Sequence, residues 1–239
     1  MPDATKFWAV IPAAGSGVRM GSSIPKQYLA LAGRAVIEHV LEAFLSHPRI
    51  AGISVAVADS DPYWSRYATQ PHAKPLQTAN GGEQRAHSVR NALAGLSEQL
   101  QADDWVLVHD AVRPCLHRSD LDRLLTTLEQ DAVGGVLGSP LTDTLKQVDD
   151  LGFITGTPSR QGIWRALTPQ MFRYGLLCEA LNAAISADQL PTDEAAAMER
   201  IQPGQVRMVE GRSDNLKITR PDDIAAAEAI LARRAQGHA

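Results

Sequence analysis

The sequence predicts an α/β fold, a mostly parallel sheet with helices on both faces. Three observations carry that prediction. Short apolar runs alternate with amphipathic, helix-length segments along most of the chain, the pattern of right-handed β-α-β units. The first apolar run ends in a glycine-rich turn, Ala14-Gly15-Ser16-Gly17. One stretch, residues 140–165, breaks the alternation, with two strand-like runs and no amphipathic helix.

Each element follows from its pattern. Residues 7–14 are an apolar run ended by glycine, the mark of a buried parallel strand. Residues 36–46 put Val36, Val40, Ala43 and Phe44 on one helical face. Residues 50–58 make a second strand, and Pro62 suits the first turn of a helix over 61–66. Residues 75–79 are a short strand leading into Asn80-Gly81-Gly82, and 84–99 are helical. Residues 105–108 are a strand that ends at His109-Asp110-Ala111-Val112-Arg113-Pro114. Ser119 caps a helix over 119–130, and 133–137 continue the sheet.

Within 140–165, residues 145–148 and 153–155 flank the turn Asp149-Asp150-Leu151-Gly152, which predicts a β-hairpin. A lone hairpin has little core of its own, so this arm is expected to rest on a second copy of the chain. Beyond it the chain re-enters the domain at 166–170, and 171–187 are predicted helical. Thr192-Asp193-Glu194 caps a helix over 195–200, residues 206–210 form a strand, and 223–234 form a last helix. Arg233 and Arg234 suit the negative end of that helix. The expected organisation is a single Rossmann-like domain over 1–239, with 140–165 as a projecting β-hairpin dimerisation arm.

Composition narrows the function. The 239 residues are 44% hydrophobic and 21% charged, enough for one substantial core. A net charge of −4 and a pI near 6.0 give no global basic field, so neither nucleic acid nor an anionic membrane is an expected partner. No apolar run is long enough to span a bilayer, and the first residues carry no apolar secretion signal. Cys115 and Cys178 have neither metal-ligand nor redox spacing, so they read as buried thiols in a cytoplasmic protein.

Five clusters carry chemistry. The first is Pro12-Ala13-Ala14-Gly15-Ser16-Gly17-Val18-Arg19-Met20, followed by Pro25-Lys26-Gln27-Tyr28. Glycine lets backbone N–H groups approach a ligand closely, and successive N–H groups make an anion-binding concavity. Arg19 and Lys26 add two cations, which suits a polyphosphate. Met20 stands where a dinucleotide fingerprint needs its third glycine, and Lys26 follows a proline, unlike a P-loop lysine. Without those cations, an ordinary glycine-rich turn would serve equally well.

The second cluster sets Asp110 at the carboxyl end of its strand, the edge where open α/β sheets bind ligands. Asp110 there can hold Mg2+ on a triphosphate, and Arg113 can meet a second anion. A helix-capping Asp110 with a solvated Arg113 is the alternative, and His109 reads as packing. In the third cluster, Gly81-Gly82 turns into a helix whose free N–H groups could read a base edge; the alternative is a plain N-cap loop. In the fourth, Lys217 lies between apolar neighbours, where a phosphate partner or a snorkelling stem accounts for it. The fifth comprises Thr142-Asp143-Thr144-Leu145-Lys146, Arg160 and Thr168, groups that suit either a phosphorylated polyol or an arm surface.

In this order the clusters resemble the 2-C-methyl-D-erythritol 4-phosphate cytidylyltransferase (IspD) family of the non-mevalonate isoprenoid pathway. Beyond the glycine-rich start, the matching pieces include Gly81-Gly82-x-x-Arg85-x-x-Ser88, Val108-His109-Asp110-Ala111-x-Arg113-Pro114, Asp143-Thr144, Ala166-Leu167-Thr168-Pro169-Gln170, Thr192-Asp193-Glu194 and Asn215-Leu216-Lys217-Ile218-Thr219. The resemblance implies transfer of CMP from CTP to methylerythritol 4-phosphate, with Mg2+ as cofactor. It also implies a homodimer whose arms complete each other's substrate sites.

By the same resemblance, Arg19, Lys26 and Lys217 are catalytic and stabilise charge at the α-phosphate. Pro12, Ala13, Ala14, Gly15, Gly17, Gly81, Gly82, Ser88 and Asp110 bind the nucleotide. Asp110, Arg113, Thr144, Arg160 and Thr168 hold the polyol phosphate, with Thr144 and Arg160 acting across the dimer. Asp110 touches ribose, metal or substrate. The attacking phosphate oxygen is already anionic, so positioned cations suffice and no general base is required. A ribitol 5-phosphate cytidylyltransferase and a non-catalytic nucleotide-binding protein are the rival readings.

Overall fold

Residues 5–15 and 24–237 are described by the computed structural model. In chain order the elements are β1 (Phe7–Pro12), a 3-10 turn (Lys26–Tyr28), β2 (Ala30–Leu31), β3 (Arg34–Ala35), α1 (Val36–Leu45), β4 (Gly52–Val57), α2 (Ser65–Ala68), β5 (Leu76–Asn80), α3 (Arg85–Ala94), β6 (Trp105–Val108), α4 (Arg118–Leu128), β7 (Gly134–Pro140), β8 (Gln147–Val148), β9 (Ile154–Gly156), β10 (Trp164–Arg173), α5 (Tyr174–Ser186), α6 (Glu194–Ile201), β11 (Arg207–Glu210) and α7 (Asp222–Ala235).

Among the described residues, seven strands form one sheet in the order β11-β7-β10-β6-β1-β4-β5. The run β6-β1-β4-β5 is parallel throughout, and β11 is parallel to β7. Only β10 is antiparallel, to both β6 and β7. The predicted α/β fold is therefore observed, with one reversed strand inserted.

Alternation along β1 sends side chains to two cores. Phe7, Ala9 and Ile11 meet α1 and α4 on one face, while Trp8 and Val10 meet α3, α5 and α6 on the other. A smaller cluster joins Leu31, Val36, Cys115, Ile218 and Ala227, and so seats α7 behind the segment that carries Lys217. No helix among the described residues is long and apolar enough to cross a membrane.

Four expectations need correction. Residues Met171, Phe172 and Arg173 are strand, and the helix begins at Tyr174. A short apolar run fits either state, and pairing with β6 and β7 decides it here. The α4 cap is His117, whose Nδ1 accepts the Ser119 N–H at 3.1 Å, rather than Ser119. The helix expected over 61–66 is displaced to the single turn of α2, after a turn in which the Asp61 carboxylate accepts the N–H groups of Tyr63 and Trp64. The helix expected over 84–99 spans only Arg85–Ala94. The arm does contain a hairpin, with Gln147 opposite Gly156 and Val148 opposite Ile154.

Candidate active site

The carboxyl ends of β1, β5 and β6 meet at one edge of the sheet. After β1, the Ala13 N–H still bonds to Ala56 O at 2.7 Å, and the chain then leaves the sheet through Ala14 and Gly15. Buried Gln27 fixes that exit, donating from Nε2 to Ala13 O at 2.7 Å and to Gly15 O at 3.3 Å. Lys26 reaches across to Thr219 O at 3.2 Å. Gly17 and Arg19 lie outside the described residues.

The turn after β5 packs directly on this exit. Gly81 N–H bonds to Val57 O at 2.6 Å, and a Cβ on Gly81 would lie 2.3 Å from Ala14 Cβ. Ser88 Oγ accepts the Gly82 N–H at 3.0 Å and donates to Gln84 O, tying the turn to the first coil of α3. A cleft results, lined by Pro12, Ala13, Ala14, Gly15, Lys26, Gln27, Gly82, Ser88, Asp110 and Lys217 among others.

Asp110 stands at the end of β6, surrounded by cations. Its Oδ1 is 3.3 Å from Arg85, and its Oδ2 is 2.9 Å from Lys217 Nζ and 3.3 Å from Arg113 Nε. Burial alone would raise its pKa, but Arg85, Lys217 and Arg113 outweigh burial and hold the carboxyl well below the usual range. Arg85 also forks onto Glu194 at the start of α6, at 2.5 and 3.0 Å. Burial raises the Glu194 carboxyl, with the Arg85 charge opposing it. For Arg113 burial dominates and lowers the guanidinium, which also donates to Asn215 O at 2.8 Å.

A second cleft opens on the far side of Asp110. It is lined by Arg113, Ala166, Leu167, Thr168, Gln170, Thr192 and Asp193, and it shares Arg85, Asp110 and Lys217 with the first. Thr168 is buried, and its carbonyl accepts Asn215 Nδ2 at 2.8 Å. Gln170 spans Asp193 Oδ2 at 2.9 Å and the Ala195 N–H at 2.8 Å, which seats the start of α6 against β10.

The fold thus brings Pro12, Ala13, Ala14, Gly15, Lys26, Gly81, Gly82, Ser88, Asp110, Arg113, Thr168 and Lys217 to one sheet edge. Thr144 and Arg160 remain on the exposed arm and line neither cleft of the single chain. Sequence reasoning gave no role in the site to Gln27, Arg85 or Asn215, and read Glu194 only as part of a helix cap. The available signal was polar residue types inside the matched motifs, which burial converts into ties between segments.

The family model described as 2-C-methyl-D-erythritol 4-phosphate cytidylyltransferase matches residues 7–233. The protein of that name from Pseudomonas putida (strain GB-1) is 55% identical over 222 residues, covering 91% of this chain and 92% of its own. The crystal structure of the Francisella tularensis 2-C-methyl-D-erythritol 4-phosphate cytidylyltransferase gives a TM-score of 0.80 at 34% identity, over 95% of this chain and 100% of that one. The corresponding Thermus thermophilus structure gives a TM-score of 0.76 at 30% identity, over 95% and 99% of the two chains.

Proposed function

The chain belongs to the 2-C-methyl-D-erythritol 4-phosphate cytidylyltransferase family, and from that premise we propose how its two clefts divide the reaction. CMP passes from CTP to 2-C-methyl-D-erythritol 4-phosphate, giving 4-diphosphocytidyl-2-C-methyl-D-erythritol and pyrophosphate in isoprenoid precursor synthesis. The cleft beside Gly15, Gly82 and Ser88 takes CTP, with the base beside the Gly81-Gly82 turn, whose N–H groups are bonded to Val57 O and Ser88 Oγ rather than free as the sequence suggests. The cleft beside Arg113 and Thr168 takes the polyol phosphate. One observation carries this division: the clefts share a wall of Arg85, Asp110 and Lys217. A phosphate oxygen in one cleft can there meet an α-phosphate in the other.

Two anions must approach each other, and pyrophosphate must leave with growing charge. Lys26 and Lys217, together with Arg19, neutralise both charges. Asp110 fits as the protein's ligand for Mg2+, being ionised and common to both clefts. Among the described residues no group of three or more His, Cys, Asp or Glu could hold a metal alone. Phosphate oxygens and water would complete the donor set of such an ion. When bound, the ion spreads negative charge on the triphosphate.

The enzyme acts as a homodimer in which the arm brings Thr144 and Arg160 to the partner's polyol cleft. A cytoplasmic location is in keeping with two cysteines that lack redox or metal-ligand spacing.

Pyrophosphate release with CTP and each of two polyol phosphates tests this reading. Release with methylerythritol 4-phosphate is expected. Release only with ribitol 5-phosphate overturns the substrate, and release with neither overturns the transferase assignment.

A further inference from the structure

The two oxygens of Asp110 face different kinds of partner. Oδ1 faces Arg85, with Nε and Nη2 each at 3.3 Å. That guanidinium is locked from behind by its fork onto Glu194, whose side chain is 1% exposed. A bidentate fork on a buried carboxylate is a rigid arrangement. Oδ2 faces Lys217 and Arg113. The Lys217 side chain is 43% exposed on a flexible stem, so it is free to turn towards a ligand.

We propose that Arg85 is a positioning residue for CMP transfer, holding Asp110 in the wall between the two clefts while Lys217 and Arg113 turn to the substrate anions. This rests on the functional reading above. Around Asp110 and Glu194 themselves, three cations, Arg85, Arg113 and Lys217, meet two carboxylates. Asp110 Oδ2 holds two cations that the substrates need. A phosphate carries more charge than a carboxylate and draws Lys217 and Arg113 away from Oδ2. Asp110 then keeps Arg85 on Oδ1. Without Arg85, an ionised and buried Asp110 would compete with the substrates for their own cations.

Position strengthens the case. Arg85 opens α3, whose Ser88 holds the Gly82 N–H. Glu194 opens α6, beside the Asp193 and Gln170 pair that lines the second cleft. The Arg85 fork thus joins the nucleotide turn to the polyol side. Lysine cannot reproduce it, because one ammonium does not span two carboxylates in fork geometry.

Steady-state kinetics and thermal unfolding of Arg85→Gln, Arg85→Lys and the double variant Arg85→Gln/Glu194→Gln test the proposal. Arg85→Gln strands the buried Glu194 charge and lowers Tm. The double variant removes both charges and recovers Tm. Its kcat is expected to stay about 10-fold or more below wild type, with KM for CTP changed less than about threefold, the signature of lost positioning. Arg85→Lys is expected to show a similar kcat loss.

Wild-type kcat in the double variant would mean that Arg85 only neutralises Glu194, and the proposal falls. Wild-type kcat in Arg85→Lys also overturns it. A crystal structure of the double variant gives a reading independent of activity. The Asp110 carboxylate is expected to leave its wild-type rotamer, and an unmoved carboxylate overturns the proposal. Should the wild type release no pyrophosphate, the functional reading fails while that structural comparison still decides the role of Arg85.

Discussion

Thr168 donates its hydroxyl hydrogen to His109 Nδ1, 2.9 Å away. The direction follows from the groups around the pair. His109 Nε2 lies 3.1 Å from Arg113 O, which can only accept, so Nε2 carries the proton. Nδ1 is then the acceptor, and the Thr168 oxygen is left to accept the Asp110 N–H at 3.2 Å. With a neutral imidazole the chain from Asp110 through Thr168 and His109 to Arg113 uses the Thr168 hydroxyl hydrogen as well.

Acid stability should report that neutrality. Burial is the main cause that pushes the His109 pKa down to about 4, whereas the unfolded ring titrates near 6.5. Above about pH 6.5 both states are neutral and the contribution is fully present. Between about 6.5 and 4 the unfolded chain takes a proton that the folded chain refuses, so stability falls, by about 3 kcal/mol for this group. His47 and His117 are also lowered, so the readout is wild type against His109→Gln. Urea melts from about pH 7 to about pH 4 should give a shallower slope in the variant. Identical slopes would remove His109 as the cause.

Two glycines of the site should behave oppositely. A Cβ at Gly81 would meet Ala14 Cβ at 2.3 Å and Val57 O at 3.0 Å. A backbone oxygen in a central strand cannot step aside, so Gly81→Ala should cost about 1–3 kcal/mol. A Cβ at Gly15 would meet nothing within 4 Å. Gly15→Ala should therefore stay within about 0.5 kcal/mol of wild type in stability. Denaturant midpoints of the two variants decide it, and a neutral Gly81→Ala would contradict the packing described.

That contrast also marks what the sequence made legible. Gly15, Gly81, Asp110 and Lys217 could be read because each belongs to a short motif, and three of the motifs follow a strand. Strand ends gather at one edge, so the topology alone convenes them. Arg85 and Glu194 are 109 residues apart, and neither spacing nor local pattern joins them. Their pairing exists only once α3 and α6 pack on the same face. Glu194 looked like a capping residue, and Asp193 is indeed the α6 cap, accepting the Ala196 N–H at 2.9 Å. Met171 and Phe172 were misread as helix because local pattern cannot reveal that β10 runs between β6 and β7.

The cations of the shared wall should govern rate more than fold. Lys217→Ala leaves Asp110 with Arg85 and Arg113, so its Tm should remain close to wild type. Its turnover should fall about 100-fold or more, as for other preorganised electrostatic stabilisers. Lys26→Ala and Arg19→Ala should lose turnover on the same scale. Stopped assays of pyrophosphate release at saturating CTP measure this, and near-normal turnover in Lys26→Ala and Lys217→Ala would sink the assignment.

The arm gives the last prediction. Leu151 is 83% exposed and Phe153 is 68% exposed on the single chain, next to exposed Val148 and Ile154. Four apolar side chains on a hairpin too small to bury them call for a partner surface. Covering a side chain of this size contributes about 1.5–3 kcal/mol, so two charged replacements should separate the copies. Sedimentation equilibrium should find wild type dimeric and Leu151→Asp/Phe153→Asp monomeric. Turnover should fall in parallel if Thr144 and Arg160 serve the partner's polyol cleft as proposed. Far-UV circular dichroism should stay at wild-type level, since neither residue belongs to the three buried clusters. A monomeric wild type with full turnover would mean that one chain completes its own site.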